Sequence, residues 1–398
     1  MDILPHLCYD NSGDNVKAVG IICEYNPFHN GHLYHINKIK EMYNGYKIIV
    51  VMSGNFTQRG DVSILDKWDK TELALQYGCD LVVELPFVFA SQSADMFAHA
   101  AIYLLSELQV DVLVFGSESN NIELLKNLAK IQLEDKRYNK LVSTYIEEGI
   151  SYPTATSKAL FTLTGKRIDK SNDILGLSYI REIYKQESEI EPICIKRNND
   201  FASRELSGNE TSATSIRHAL LHGEDVSNYV PPKTNQKLTK KLYFNEEYFP
   251  ILKYKILTDC FLDKYQTVEE GIENRLRKYM LTSKSMEEFI LKIKAKRYTY
   301  NRINRMLTHI LVGFTKEEAK RFKSPEYIRI LGFTYNGQKY LNEIKNELSL
   351  PIVSKFTSIK HHGLQIELKA TIAYASILEE EEKIRVIEAE YKNSPIMY

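Results

Sequence analysis

The chain reads as an α/β protein: a doubly wound parallel sheet followed by a mainly helical carboxyl-terminal domain. Short, fully apolar runs alternate with helix-period segments through the first half, the pattern of parallel strands covered on both faces. Beyond Pro231-Pro232 that alternation gives way to helical periodicity rich in Lys, Arg and Tyr, and a Pro-Pro pair is a strong breaker. At 398 residues the chain is long enough to build more than one core.

Val16 to Cys23 is an apolar, β-branched run that ends in a Pro- and Gly-bearing loop, and a helix pattern follows from about Gly31 to Tyr43. Lys47 to Met52 reads as a second buried strand, leading into the loop Ser53 to Gly60. Helix over Lys67 to Tyr77, strand over Asp80 to Leu85, helix over Ser93 to Gln109 and strand over Val110 to Phe115 continue the alternation. Helical patterns run from Asn121 to Lys185, a further strand covers Pro192 to Lys196, and a helix opens near Thr214. A Rossmann-like arrangement follows, with ligands expected at the carboxyl ends of the strands. The expected divisions are a lead-in over 1–15, a catalytic domain over 16–230 and a mainly helical, basic domain over 233–398.

Composition excludes several classes. The 52 basic and 52 acidic residues cancel, so a nucleic-acid surface must come from local clustering. No apolar run reaches the ~18 to 20 residues of a membrane helix, and the amino end lacks the basic and apolar regions of a secretory signal. Five scattered cysteines without a Cys-x-x-Cys pair point to neither a disulfide framework nor a zinc knuckle. A reducing cytoplasm fits.

The string Glu24-Tyr25-Asn26-Pro27-Phe28-His29-Asn30-Gly31-His32 after the first strand carries the chemistry. Pro27 stiffens the loop, and Gly31 permits a close backbone approach. The amides and dipole of the following helix make an anion site. His29 and His32, three apart, face one side, where their N–H donors would stabilise charge on a triphosphate. Taken alone, His-x-x-His is as readily a surface turn or a metal pair. Farther on, Ser212 and Thr214 in Thr211-Ser212-Ala213-Thr214-Ser215-Ile216-Arg217 are placed to cap a helix, with Arg217 toward phosphate.

These two elements resemble the His-x-Gly-His and Ile-Ser-Ser-Thr-x-Ile-Arg motifs of the nucleotidyltransferase superfamily. Longer stretches narrow the match: Val19 to His32, Val51 to Gly60, Asp66-Lys67-Trp68, Val83 to Pro86, Phe115 to Glu118 and Asn172 to Gly176. Together they resemble the tRNA(Met) cytidine acetate ligase family, densely over about 17–220 and thinly beyond. The resemblance implies a nucleotidyltransferase-type fold and a two-step reaction. ATP and acetate would give acetyl-adenylate, whose acetyl group passes to N4 of the wobble cytidine of elongator tRNA(Met), giving N4-acetylcytidine. Ile22 to His35 would wrap ATP (Ile22, Cys23, Glu24, Tyr25, Asn26, Pro27, Phe28, His29, Asn30, Gly31, His32, Leu33, Tyr34 and His35). Gly116, Asn172, Arg197, Ser212 and Thr214 would add contacts, and His29, His32 and Arg217 would do the catalytic work. Mg²⁺ would bridge the phosphates without a dedicated protein metal site. The family carries a second asparagine where this chain has Asp173.

Between Arg275 and Lys323 fourteen Lys and Arg stand against four Glu, a local charge of +10. Lys292, Lys294, Lys296, Arg297, Arg302 and Arg305 interleave there with Tyr298 and Tyr300, a mixture that suits phosphate contacts and base stacking; a solvated helix face is the plain alternative. Arg59 is either a phosphate partner or a loop residue. Two other functions share the motifs: an adenylyltransferase acting on a pantetheine-phosphate or nicotinamide-type acceptor, and a non-catalytic nucleotide-binding module. The first leaves the basic half without work. The second has no need of intact His29, His32 and Arg217.

Overall fold

A computed structural model describes residues 17–197 and 212–398; the expected lead-in and Thr211 lie outside them. The amino-terminal half runs β1 (Ala18–Cys23), α1 (Asn30–Met42), β2 (Lys47–Ser53), α2 (Lys67–Gln76), β3 (Leu81–Leu85), α3 (Phe87–Ala90), α4 (Ala94–Glu107) and β4 (Val112–Ser117). It continues through α5 (Ile122–Glu134), α6 (Lys136–Glu147), α7 (Tyr152–Thr164), α8 (Ser171–Lys185), β5 (Glu191–Lys196) and α9 (Ala213–Leu221). Each expected strand and helix is present within one to three residues at its ends.

The carboxyl-terminal half is α10 (Pro232–Lys237), α11 (Phe249–Thr258), α12 (Ile272–Thr282), α13 (Met286–Ile293), α14 (Tyr300–Val312) and α15 (Lys316–Arg321). Then come β6 (Ile328–Phe333), α16 (Tyr335–Ile344), β7 (Ile352–Val353), α17 (His362–Ala375), α18 (Glu380–Lys392) and β8 (Ile396–Met397).

All eight strands join one sheet of order β5-β4-β1-β2-β3-β6-β7, with β8 also on β6. From β5 to β3 every pairing is parallel, while β6 lies antiparallel to β3. The sheet is therefore mixed rather than wholly parallel. The segment 233–398 is mostly helical, but it also sends three strands to the edge left open by β3. Burying that edge removes a row of unpaired backbone groups.

Alternate side chains of the strands feed two cores. Ile49, Val51 and Phe115 face α3, α4, α8 and the carboxyl-terminal helices. Ile48, Val50, Met52 and Val114 face α1, α2 and α9. The chain order reverses between β1 and β4, and in such sheets the crevice outside the strand ends at that point takes the ligand. No helix among the described residues is long and apolar enough to cross a membrane.

Candidate active site

The loop between β1 and α1 sits at that crevice. His29 is the N-cap of α1: its Nδ1 accepts the Gly31 amide at 3.1 Å, and His32 Nδ1 accepts the His29 amide at 3.2 Å. With both Nδ1 atoms accepting, each neutral ring carries its proton on Nε2. The rings lie 3.8 Å apart, centroid to centroid. Burial, reinforced by the Arg197 and Arg217 guanidinium groups, pushes His29 down to about 3. Burial and the neighbouring His29 hold His32 well below the usual histidine range, and burial with Arg197 pushes His35 down to about 4. These imidazoles are neutral donors at pH 7.

The helix amides differ from expectation. Asn30 N donates to Tyr229 O, Gly31 N to His29 Nδ1, and His32 and Leu33 N to His29 O. The amides of the first turn of α1 are thus already satisfied, as orphan amides require, and the donors left for an anion are the imidazole Nε2–H groups and the nearby arginines.

Two arginines converge on this loop, one from α9 and one from the end of β5. Arg217, on α9, donates to Asn26 O at 2.7 Å and stands 3.8 Å from Asp61. Ser212 caps α9 by accepting the Ser215 amide, whereas Thr214 lies within the helix, 3.4 Å from Arg217 Nη2. Arg197 follows β5 and reaches Asn172 Oδ1 at 3.4 Å. A Cβ on Gly116 would lie 2.6 Å from Arg197 Cδ, so only glycine lets that side chain cross the end of β4. Gly31, Tyr34, His35, Gly116, Lys196 and Arg197 line a cleft of about 50 Å³.

Asn172 and Asp173 separate cleanly in role. The Glu118 carboxylate accepts from Asn172 Nδ2 and from the Asn172 and Asp173 amides. Asp173, buried, accepts from Ser117 Oγ and from the Glu118 and Ser119 amides. Its carboxylate locks the β4 loop to α8, a site filled wholly by donors, where an acid fits. The residue beside Arg197 is Asn172.

Several residues of the expected ATP wrap are framework. Tyr25 and Phe28 are buried, and Phe28 stacks on Tyr77 at 5.0 Å. Asn26 ties Val62 and Ile64 to the loop, which contains a cis Asn26-Pro27 bond. Asn30 donates to Asn228 O. Ile22, Cys23 and Leu33 pack partly buried against the two cores.

Glu24 and Lys70 sit beneath the crevice. Glu24 accepts the Gln58 amide at 2.6 Å, and burial raises its carboxyl above the usual range. The Lys70 ammonium, fully buried, donates to the carbonyls of Glu24, Ser53 and Gly54 at 3.0, 2.8 and 2.7 Å. It gathers the carboxyl ends of β1 and β2. Lys70 escaped the sequence reading because a lysine on an amphipathic helix reads as solvent-facing. Lys67 is equally buried, paired with Glu84 and Glu390, and Trp68 packs against a core. Asp95 lies in the first turn of α4 and pairs with Arg181 at 2.5 Å.

Against this floor stands a cavity of about 910 Å³, with Glu24, Gln58 and Arg59 on one side and Arg297, Arg302 and Arg305 on another. Within the basic stretch, Lys292 pairs with Glu288, and Arg302 lies 3.4 Å from Glu269. Lys294 and Lys296 are exposed. Tyr298 is buried, its hydroxyl donating to Glu269 O, so it packs where base stacking had been expected; Tyr300 is 45% exposed.

Known proteins share this arrangement. A family model described as HIGH Nucleotidyl Transferase matches residues 16–389. A tRNA(Met) cytidine acetate ligase of Geobacillus sp. is 41% identical, over 96% of this chain and all of the relative, and that of Bacillus subtilis is 37% identical over 96% and 98%. Crystal structures of Thermotoga maritima TmcAL superpose over 96% of this chain and 99% of theirs at 33% identity, with TM-scores of 0.89 for the apo form and 0.87 for the form bound with alpha-thio ATP. The chain belongs to the HIGH nucleotidyl transferases and, among them, to the tRNA(Met) cytidine acetate ligase family.

Proposed function

We propose that this protein joins acetate and ATP into acetyl-adenylate and passes the acetyl group to N4 of the wobble cytidine of elongator tRNA(Met), giving N4-acetylcytidine. The observation that carries the reading is the cluster of neutral His29 and His32 with Arg197 and Arg217 at the switch point of the sheet. The relatives named tRNA(Met) cytidine acetate ligase and the nucleotide-bound TmcAL support it.

In the first step an acetate oxygen attacks the α-phosphorus, the bond to the β-phosphate oxygen breaks, and pyrophosphate leaves. Acetate is ionised at neutral pH and needs no base. The protein supplies alignment and charge: Nε2–H donors from His29 and His32, and the guanidinium groups of Arg197 and Arg217 toward the phosphates. Gly116, Tyr34 and His35 place the nucleoside in the small cleft, with Asn172 orienting Arg197. No group of three or more His, Cys, Asp or Glu suited to a metal occurs among the described residues. A Mg²⁺ ion bound with the nucleotide would be held by the phosphates and water, where it would neutralise charge. Lys292, Lys294, Lys296, Arg297, Arg302 and Arg305 give the tRNA backbone its positive track.

The test is incubation with ATP, labelled acetate and total bacterial tRNA. Label in tRNA as N4-acetylcytidine is the expected result. Pyrophosphate release without labelled tRNA would transfer the chain to another acceptor, and ATP binding without turnover would remove the catalytic reading.

A further inference from the structure

The cavity of about 910 Å³ joins the catalytic floor to the basic helix α14. Its volume lies in the range of sites that enclose a whole small ligand and far exceeds what an acetate ion fills. Glu24, Gln58 and Asn172 line it just beyond the ends of β1 and β2 and at the start of α8, while Ile150, Leu160 and Leu175 make an apolar wall. The nucleoside cleft opens by Gly31 and Gly116 instead. An acyl-adenylate lying across the end of β1 therefore has a second chamber beside it.

Three of the acids lining that chamber have partners: Asp95 holds Arg181, Glu24 accepts from Gln58, and Glu270 accepts from Tyr298. Arg302 reaches Glu269 and the Arg297 carbonyl. Arg305, one turn farther along α14, is half-buried, lines the cavity and has no hydrogen bond or ion pair to the described residues. Burial and the nearby Arg302 push it down to about 10. A guanidinium that faces a cavity with no protein partner suits an anion brought by a ligand.

Resting on the acetate-ligase reading above, we infer that this cavity is the acceptor chamber, holding one pyrimidine nucleotide drawn out of its RNA strand. The base lies along the Ile150–Leu175 wall, and the nucleotide's phosphate meets Arg305. Enzymes that act on a base unstack it into such a pocket. There the exocyclic amine attacks the acetyl carbon, a carbon–nitrogen bond forms, the carbon–oxygen bond to AMP breaks with its electrons leaving on AMP, and the amine proton is lost to water.

Two variants and one crosslink test the chamber. Thr156→Trp fills it from α7, and Arg305→Ala removes the cation. Each is expected to lower acetyl transfer to tRNA by about 100-fold, with acetate-dependent pyrophosphate exchange in Thr156→Trp within about threefold of the parent; Arg305→Lys recovers part of the loss. An anticodon stem-loop carrying 5-iodocytidine at the acceptor position is expected to crosslink to Tyr152 or a neighbouring chamber residue. Undiminished transfer in Thr156→Trp, or crosslinks confined to residues outside the chamber, would overturn the inference. Absence of acetate-dependent exchange in the parent protein would instead sink the acetate-ligase reading, and the crosslink would still locate the RNA base.

Discussion

Protonation of His29 on Nδ1 would break the cap that holds α1 in place, because that nitrogen accepts the Gly31 amide. The pH response follows from this. Burial with Arg197 and Arg217 lowers His29 from 6.5 in the unfolded chain to about 3 in the folded one. Between those values the unfolded chain binds a proton that the folded chain refuses, so stability falls as pH falls. The slope is roughly 1.4 kcal/mol per pH unit for this one group. Urea unfolding at pH 6.5 and 5 is expected to show that loss, with His29→Gln losing less over the same interval. Acetate-dependent pyrophosphate exchange, in turn, is expected to show no inflection near pH 6.5. An inflection there would mean that a charged imidazole takes part. His32→Ala removes one of the two Nε2–H donors and is expected to slow exchange about 100- to 1,000-fold, the usual cost of a lost oxyanion donor, with tRNA affinity retained in a filter-binding assay.

At the scale of elements, the contact between the β2 loop and α14 joins the two halves of the chain. Gly60 has a φ of 81°, and a Cβ there would lie 2.4 Å from the Arg305 backbone nitrogen. Thr308 Oγ1 donates to Gly60 O, and Asn304 Nδ2 reaches both Arg59 O and Asp61. Gly60→Ala meets both the left-handed backbone, worth ~1–2 kcal/mol, and a clash that pushes α14 away. A loss of at least about 2 kcal/mol in urea unfolding is expected; an unchanged midpoint would show that α14 does not pack this closely. A second lock lies at the sheet edge, where Lys67 and Arg329 share Glu84 and Glu390. Glu390→Ala leaves buried cations short of a partner and is expected to cost about 3–5 kcal/mol. The same lock explains why β6 was not visible in the sequence. Ile328 to Phe333 carries Arg329 inside an apolar run, which reads as helix until Glu84, 245 positions earlier, is known to face it. The strands from β1 to β5 were legible because they are short, apolar and flanked by turn residues. The His29–His32 loop was legible by its unusual residue types, but its inward-turned Nδ1 atoms were not, since they depend on the φ and ψ of the cap.

On the scale of the whole molecule, a chain of zero net charge places an excess of +10 between Arg275 and Lys323. A neutral protein has no net charge to draw a polyanion, so RNA binding through that segment would respond to salt as the number of phosphates it neutralises. The structure divides the six candidate cations. Arg305 faces the chamber, and Lys292 and Arg302 have acidic neighbours at 2.6 and 3.4 Å. Exposed ion pairs of this kind are worth little and exchange readily for phosphate. Lys294, Lys296 and Arg297 carry no such neighbour among the described residues and are exposed, with Arg297 at the cavity rim. If these three contact phosphates, replacing them together by Ala lowers tRNA affinity and flattens the slope of log affinity against log salt by about one for each phosphate no longer neutralised. Acetate-dependent pyrophosphate exchange without tRNA is expected to stay near the parent rate if that step uses only the crevice at β1 and β4. Titration of binding between low and moderate salt measures the slope directly. A slope equal to that of the parent would place the RNA on another face of the protein, and would leave the +10 segment as the solvated outer surface of α13 and α14.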